Sequence, residues 1–220
     1  MARRAPDVRT RFPTSQATEP ADCHKRQRSD VLRGMGPTHP VGSRAPQRPA
    51  DWHPPQPLEP ALSQRINYIQ QSPELFKKLV ELNMLLKKGP IEESILALVS
   101  LRASQINGCG FCVDMHVKEA HIHGERELRL HHVAIWREST LFSPRERAAL
   151  AWTEALTRLP EHGVSDDVYD RVRTQLSEKE LSDLTFAVMA INAWNRVNVA
   201  FRTVPASQDR AFGLDKAGLA

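Results

Sequence analysis

From residue 61 onward, apolar residues recur three and four positions apart, and nowhere do they alternate as a half-buried strand requires. That period commits the chain to helices whose apolar stripes must pack on one another. The prolines agree: eleven of the sixteen fall within residues 1–60, so little beyond them breaks a helix. The expected fold class is all-α, a compact bundle of about seven helices with short connections.

The helix limits are legible. Ser72-Pro73-Glu74 offers an N-cap with Pro at the first helical position, and Leu75, Leu79, Leu82 and Leu86 form a stripe that Lys87-Lys88-Gly89-Pro90 ends. A helix over 91–106 places Ile95, Val99 and Ile106 inward and stops at Asn107-Gly108, a pair suited to a sharp turn. The next must begin at or near Cys109 and run to about His123, with Gly124 as its cap. Residues 125–137 predict a shorter helix, and Ser143-Pro144-Arg145-Glu146 opens one over 144–159. Ser165-Asp166-Asp167 starts another. The capping box Ser177-Glu178-Lys179-Glu180 opens a long last helix that buries Leu181, Leu184, Val188, Ile191 and Trp194 and closes before Pro205.

Residues 1–56 are rich in Pro, Arg, Gln and Ser without any hydrophobic period, and predict a disordered tail. The helical domain is expected over 57–206, followed by a C-terminal tail over 207–220. Charge divides at the same boundary, since residues 1–56 hold ten Lys/Arg against five Asp/Glu and the remainder is close to neutral. A near-neutral domain without a basic face argues against nucleic acid as a partner. No apolar run reaches the ~18 residues of a membrane span, and no export signal is recognisable, so the expectation is a cytoplasmic protein away from membranes. Three cysteines, Cys23, Cys109 and Cys112, cannot build a disulfide framework; one close pair in a reducing compartment points to redox work or metal binding.

The chemistry concentrates in Asn107-Gly108-Cys109-Gly110-Phe111-Cys112-Val113-Asp114-Met115-His116. Steps of three and four residues turn a helix by ~300° and ~400°, so both sulfurs and the imidazole share a sector of about 60°. Unsatisfied amides at a helix start stabilise a thiolate, whose natural electrophiles are O–O and S–S bonds. One thiol attacks a peroxide to become a sulfenic acid, its neighbour condenses with it to a disulfide, and the histidine moves protons. Two other readings exist: an inert buried pair, or half of a zinc site completed by His116 with His121 or His123. Four ligands on one short helix, however, would need a break in the backbone.

At these residues the chain resembles the alkylhydroperoxidase D-like proteins of the carboxymuconolactone decarboxylase superfamily. The matching text is Leu101-Arg102-Ala103-Ser104-Gln105-Ile106-Asn107-Gly108-Cys109, Cys112 and Asp114-Met115-His116, supported by Trp136-Arg137-Glu138 and Asn192-Ala193-Trp194-Asn195-Arg196. The resemblance implies an all-helical fold that assembles as homo-oligomers, trimers or hexamers. It implies an antioxidant peroxidase, an oxidoreductase with no cofactor and no metal, in which Cys112 meets a small hydroperoxide, Cys109 resolves it, His116 relays protons and an external dithiol reductant reopens the disulfide. A decarboxylase or isomerase of the same superfamily, or a non-catalytic oligomer, are the alternatives.

One departure from the family pattern is Ala97, which stands where characterised members carry a relay glutamate, twelve residues before the first cysteine. Helical geometry offers two substitute carboxylates: Glu93, one turn before Ala97, and Glu119, one step beyond His116. His131 and His132, being adjacent, point to different faces and make no shared site. Trp136, Trp152 and Trp194 read as core or subunit contacts.

Overall fold

A computed structural model describes residues 63–219, and the expected tail over 1–56, with Cys23, lies outside the described residues. Every regular element among the described residues is helical. In chain order they are α1 (Tyr68–Gln71), α2 (Pro73–Leu86), α3 (Glu93–Ile106), α4 (Gly110–Ile122), α5 (Glu127–His132) with a 3₁₀ turn over Val133–Glu138, α6 (Pro144–Arg158), α7 (Asp166–Arg173), α8 (Glu178–Phe201), α9 (Asp209–Phe212), and a last 3₁₀ turn over Leu214–Ala217. No helix among the described residues is long and apolar enough to cross a membrane.

Capping sets the limits. Ser143 and Ser177 each accept a hydrogen bond from the backbone of the third helical residue while Glu146 and Glu180 bond back to the cap, so α6 and α8 start where two orphan donors are satisfied. Residues 125–137 are not one helix: a kink at Ile135 interrupts the turn that follows α5.

Helix α3 is the axis of the domain, packing on α4, α6 and α8. One side sends Ile95 and Val99 into a cluster with Trp152, Leu184 and Val188. The other sends Leu98 and Leu101 into a second cluster with Ala120, Val133, Trp136 and Leu150. Between them Glu154 is buried against Arg102, Arg137 and the Trp136 indole, and these donors hold its carboxyl below the usual range against the opposing effect of burial. With both faces of α3 covered, its register is fixed, and so is the position of the turn that leaves it.

Among the described residues the stripe on α2 is only half-covered: Leu79, Leu82 and Leu86 are half-buried against the domain, and Leu75 is exposed. In the segment expected as a C-terminal tail, α9 and the following turn pack, Leu214 and Ala217 are buried, and the turn lies on α4. Lys118 of α4 is buried with its ammonium 2.7 Å from Asp209 and 2.9 Å from Asp114, a tie between distant segments that local patterning does not reveal.

Candidate active site

The site begins at the turn between α3 and α4. Gly108 has φ of 64°, a left-handed conformation that Gly adopts without strain, and the amide of Cys109 returns 3.0 Å to the Ser104 carbonyl. Asn107 donates through its amide to Asn192 (3.0 Å) and Asn195 (2.9 Å) of α8, and Asn195 donates to the Ser104 hydroxyl at 3.0 Å. Buried polar groups cost free energy unless paired, so this network sets α3, the turn and α8 in one arrangement.

Cys109 is the N-cap of α4, its sulfur accepting the Cys112 amide at 3.3 Å. The two sulfurs are joined in a disulfide, with Cα atoms 5.3 Å apart. Each residue is 1% exposed, among Phe111 and Met115. Cys109 also lines an open cleft of about 730 Å³, walled by Ser104, Gln105, Val113, Val117 and Leu219.

His116 stands one turn beyond Cys112, 9% exposed. Its Nδ1 lies 3.4 Å from Glu119 Oε2, and Glu119 Oε1 lies 2.6 Å from Lys87 Nζ at the end of α2. Hydrogen bonding from His116, helped by Lys87, pulls the Glu119 carboxyl down to about 2 against the opposing effect of burial. An ionised carboxylate only accepts, so Nδ1 carries a proton, and in the neutral ring Nε2 is the nitrogen with the free lone pair. Among the described residues, Nε2 is buried with no hydrogen-bond partner. The pairing thus orients the imidazole so that Nε2 is the nitrogen left to exchange protons.

The second candidate carboxylate lies elsewhere. Glu93 is exposed and pairs with His123 at 3.8 Å, and His121 stands 3.8 Å from Glu127. Those contacts place the additional histidines of the zinc reading beside surface glutamates, and among the described residues no cluster of three or more His, Cys, Asp or Glu is placed to hold a metal. Ala97 packs on the second apolar cluster. Trp136 and Trp152 are core residues, while Trp194 is part-buried with its ring 5.7 Å from that of Phe76. His132 bonds to the Ser139 hydroxyl at 3.0 Å, and His131 is exposed.

One neighbour of the disulfide escaped sequence reasoning. Asn198 of α8 is buried and donates to Cys112 Sγ at 3.6 Å. The available signal was Asn192, Asn195 and Asn198 at three-residue spacing in the largely apolar stretch 186–201.

Residues 73–155 match the model of the carboxymuconolactone decarboxylase family. The chain is similar to the uncharacterized protein YdfG of Bacillus subtilis, 37% identical over 147 residues that span 67% of this chain and all of that one. It is similar to a solved structure of ATU0492 from Agrobacterium tumefaciens, a protein of unknown function named as a candidate antioxidant defence protein AhpD. The identity is 42% and the TM-score 0.63, over 65% of this chain and 98% of the other. The debrominase Bmp8 shares the fold at 20% identity and a TM-score of 0.58, over 68% of this chain and 80% of that one.

Proposed function

The chain belongs to the carboxymuconolactone decarboxylase family, in its alkylhydroperoxidase D-like branch, and on that premise we propose that it is a thiol peroxidase reducing organic hydroperoxides or hydrogen peroxide. A debrominase has the same fold, so fold alone does not choose the reaction. The choice rests on one observation: a C-x-x-C disulfide at the start of α4, with an imidazole one turn on whose Nδ1 is engaged and whose Nε2 is not.

In the reduced protein, His116 takes the proton of the Cys112 thiol, and the resulting thiolate attacks the terminal oxygen of the hydroperoxide. The O–O bond breaks, the alkoxide takes a proton from the His116 imidazolium and leaves as alcohol, and Cys112 becomes a sulfenic acid. Cys109 then attacks the Cys112 sulfur, the S–O bond breaks, and water leaves with the second proton. The sum is two thiols and one hydroperoxide giving a disulfide, an alcohol and water. A dithiol reductant entering the cleft supplies the two electrons that close the cycle, at the sulfur of Cys109.

The test is stoichiometric. Adding one equivalent of an alkyl hydroperoxide to reduced protein should consume two core thiols, and Cys112→Ser should abolish the reaction. Thiols untouched by peroxide, or turnover that survives Cys112→Ser, would reject the peroxidase. The assembly proposed is a homo-oligomer, for which Met84 and Leu85, neighbouring exposed side chains at the end of α2, provide apolar contacts. Sedimentation of a Met84→Glu, Leu85→Glu variant should give smaller species; an unchanged sedimentation profile removes α2 from the interface.

A further inference from the structure

The two sulfurs are not equivalent, and the helix that carries them favours the wrong one. Cys109 sits at the N-cap, where it accepts the Cys112 amide and feels the positive end of α4. By that effect alone negative charge would settle on Cys109. The peroxidase reading needs it on Cys112.

Asn198 supplies the counterweight. Its Nδ2 bears two hydrogens: one goes to the Trp194 carbonyl at 3.0 Å, the other to Cys112 Sγ at 3.6 Å. Its Oδ1 accepts from the Tyr68 hydroxyl at 3.1 Å. Turning the amide over would set oxygen against the Trp194 carbonyl oxygen and leave the phenol without its acceptor, so the orientation is fixed. Burial pushes the Tyr68 phenol up, which keeps its proton in place as a donor. Helix α1, only four residues long, thereby reaches the redox centre through one side chain.

We propose that Asn198, held by Tyr68 and the Trp194 carbonyl, selects Cys112 over Cys109 as the charged sulfur by donating a hydrogen bond to its thiolate. The inference rests on the peroxidase reading and deepens it. A hydrogen bond to an ionised acceptor is stronger than one to a disulfide sulfur, so Asn198 favours the reduced state of Cys112 over the bonded one. It acts a second time on reduction. When a thiolate of the reductant attacks Cys109 at the cleft, a new S–S bond forms and the old one breaks with its electron pair on Cys112; stabilising that thiolate makes it the better leaving group. Asn198 touches the reacting sulfur, while Tyr68 is a positioning residue.

The experiment uses the full chain with Cys109→Ser, so that Cys112 is the core thiol, and follows its alkylation by iodoacetamide against pH. Adding Asn198→Ala should raise the midpoint by about one pH unit, an approximately tenfold slower reaction at pH values below it. Asn198→Asp, of nearly the same shape, should raise it further, because a carboxylate repels the thiolate. Tyr68→Phe should give a smaller rise. In a Cys112→Ser background the Cys109 midpoint should stay where it is under the same substitutions, which separates a hydrogen bond to one sulfur from general loosening of the site. A Cys112 midpoint unmoved by both Asn198 variants, or equal shifts at both cysteines, overturns the inference and leaves the peroxidase standing. A Cys112 with Asn198 intact that titrates like a free thiol overturns both.

Discussion

Lys87, just past the end of α2, and Glu119, on α4, meet with Nζ 2.6 Å from Oε1, and that contact steadies the carboxylate whose other oxygen faces His116. Glu119 ionises at about 2 in the fold instead of 4.5, which couples the site to acid stability. A depressed carboxyl contributes stability that is fully present above its unfolded value and is lost as pH falls through the folded one. Glu119→Gln should therefore lower the melting temperature at pH values above 4.5, and the difference from wild type should shrink as pH falls towards about 2. Thermal melts across that range check it; a constant difference at all pH values would assign the effect to packing instead.

The same pair sets the chemistry. General acid–base catalysis contributes about 10²–10⁴ in rate, so His116→Ala should cost the peroxidase at least a hundredfold. Glu119→Gln keeps the shape but no longer demands a proton on Nδ1, and should cost roughly tenfold by letting the imidazole adopt the wrong tautomer. Glu93→Gln, altering an exposed pair with His123, should leave turnover unchanged. Steady-state rates for the three variants would overturn the relay if Glu93→Gln were the more damaging carboxylate change.

Helix starts were readable because each is written locally: Ser143 and Ser177 with their glutamates, Pro73 and Pro144 at first positions, and Asn107-Gly108 before Cys109. The register of Cys112, His116 and Glu119 follows from the helical period. What remained hidden depends on contacts between residues distant in sequence. Asn198 reaches Cys112 across 86 positions and Lys118 reaches Asp209 across 91. No local period announces such pairs. The apolar stripe of α2 is half-covered among the described residues; a helical period shows that a face wants covering without showing how much of it the same chain covers.

The turn that aims α4 gives a stability prediction in two parts. Gly108 has φ of 64° and open space around an added Cβ, so Gly108→Ala pays only for its backbone, about 1–2 kcal/mol. At Gly110 the added carbon meets Pro205 Cγ at 3.7 Å, an ordinary contact, in the first turn of a helix that favours Ala. Gly110→Ala should be neutral or slightly stabilising. Equal losses in chemical denaturation would mean that crowding, and not φ, governs this corner.

Lys118 offers the sharpest test of how the C-terminal segment is held. Its ammonium is buried between Asp114 and Asp209, and Asp114 also accepts the Ala206 amide at 3.0 Å, so three segments converge on one charge. Removing one partner of a buried pair leaves the others uncompensated, so Lys118→Met should destabilise by about 3 kcal/mol. Asp209→Asn keeps Asp114 as partner and should cost less. Adding Asp209→Asn to Lys118→Met removes one stranded carboxylate, so the double variant should recover part of the loss, a coupling that a double-mutant cycle measures. The consequence reaches the redox centre: Lys118 and Leu219 line the cleft beside Cys109, and a loosened segment should let a phosphine reduce the disulfide faster in Asp209→Asn than in wild type. Unchanged reduction, alongside the expected loss of stability, would show that the segment supports the fold without controlling access to the sulfur.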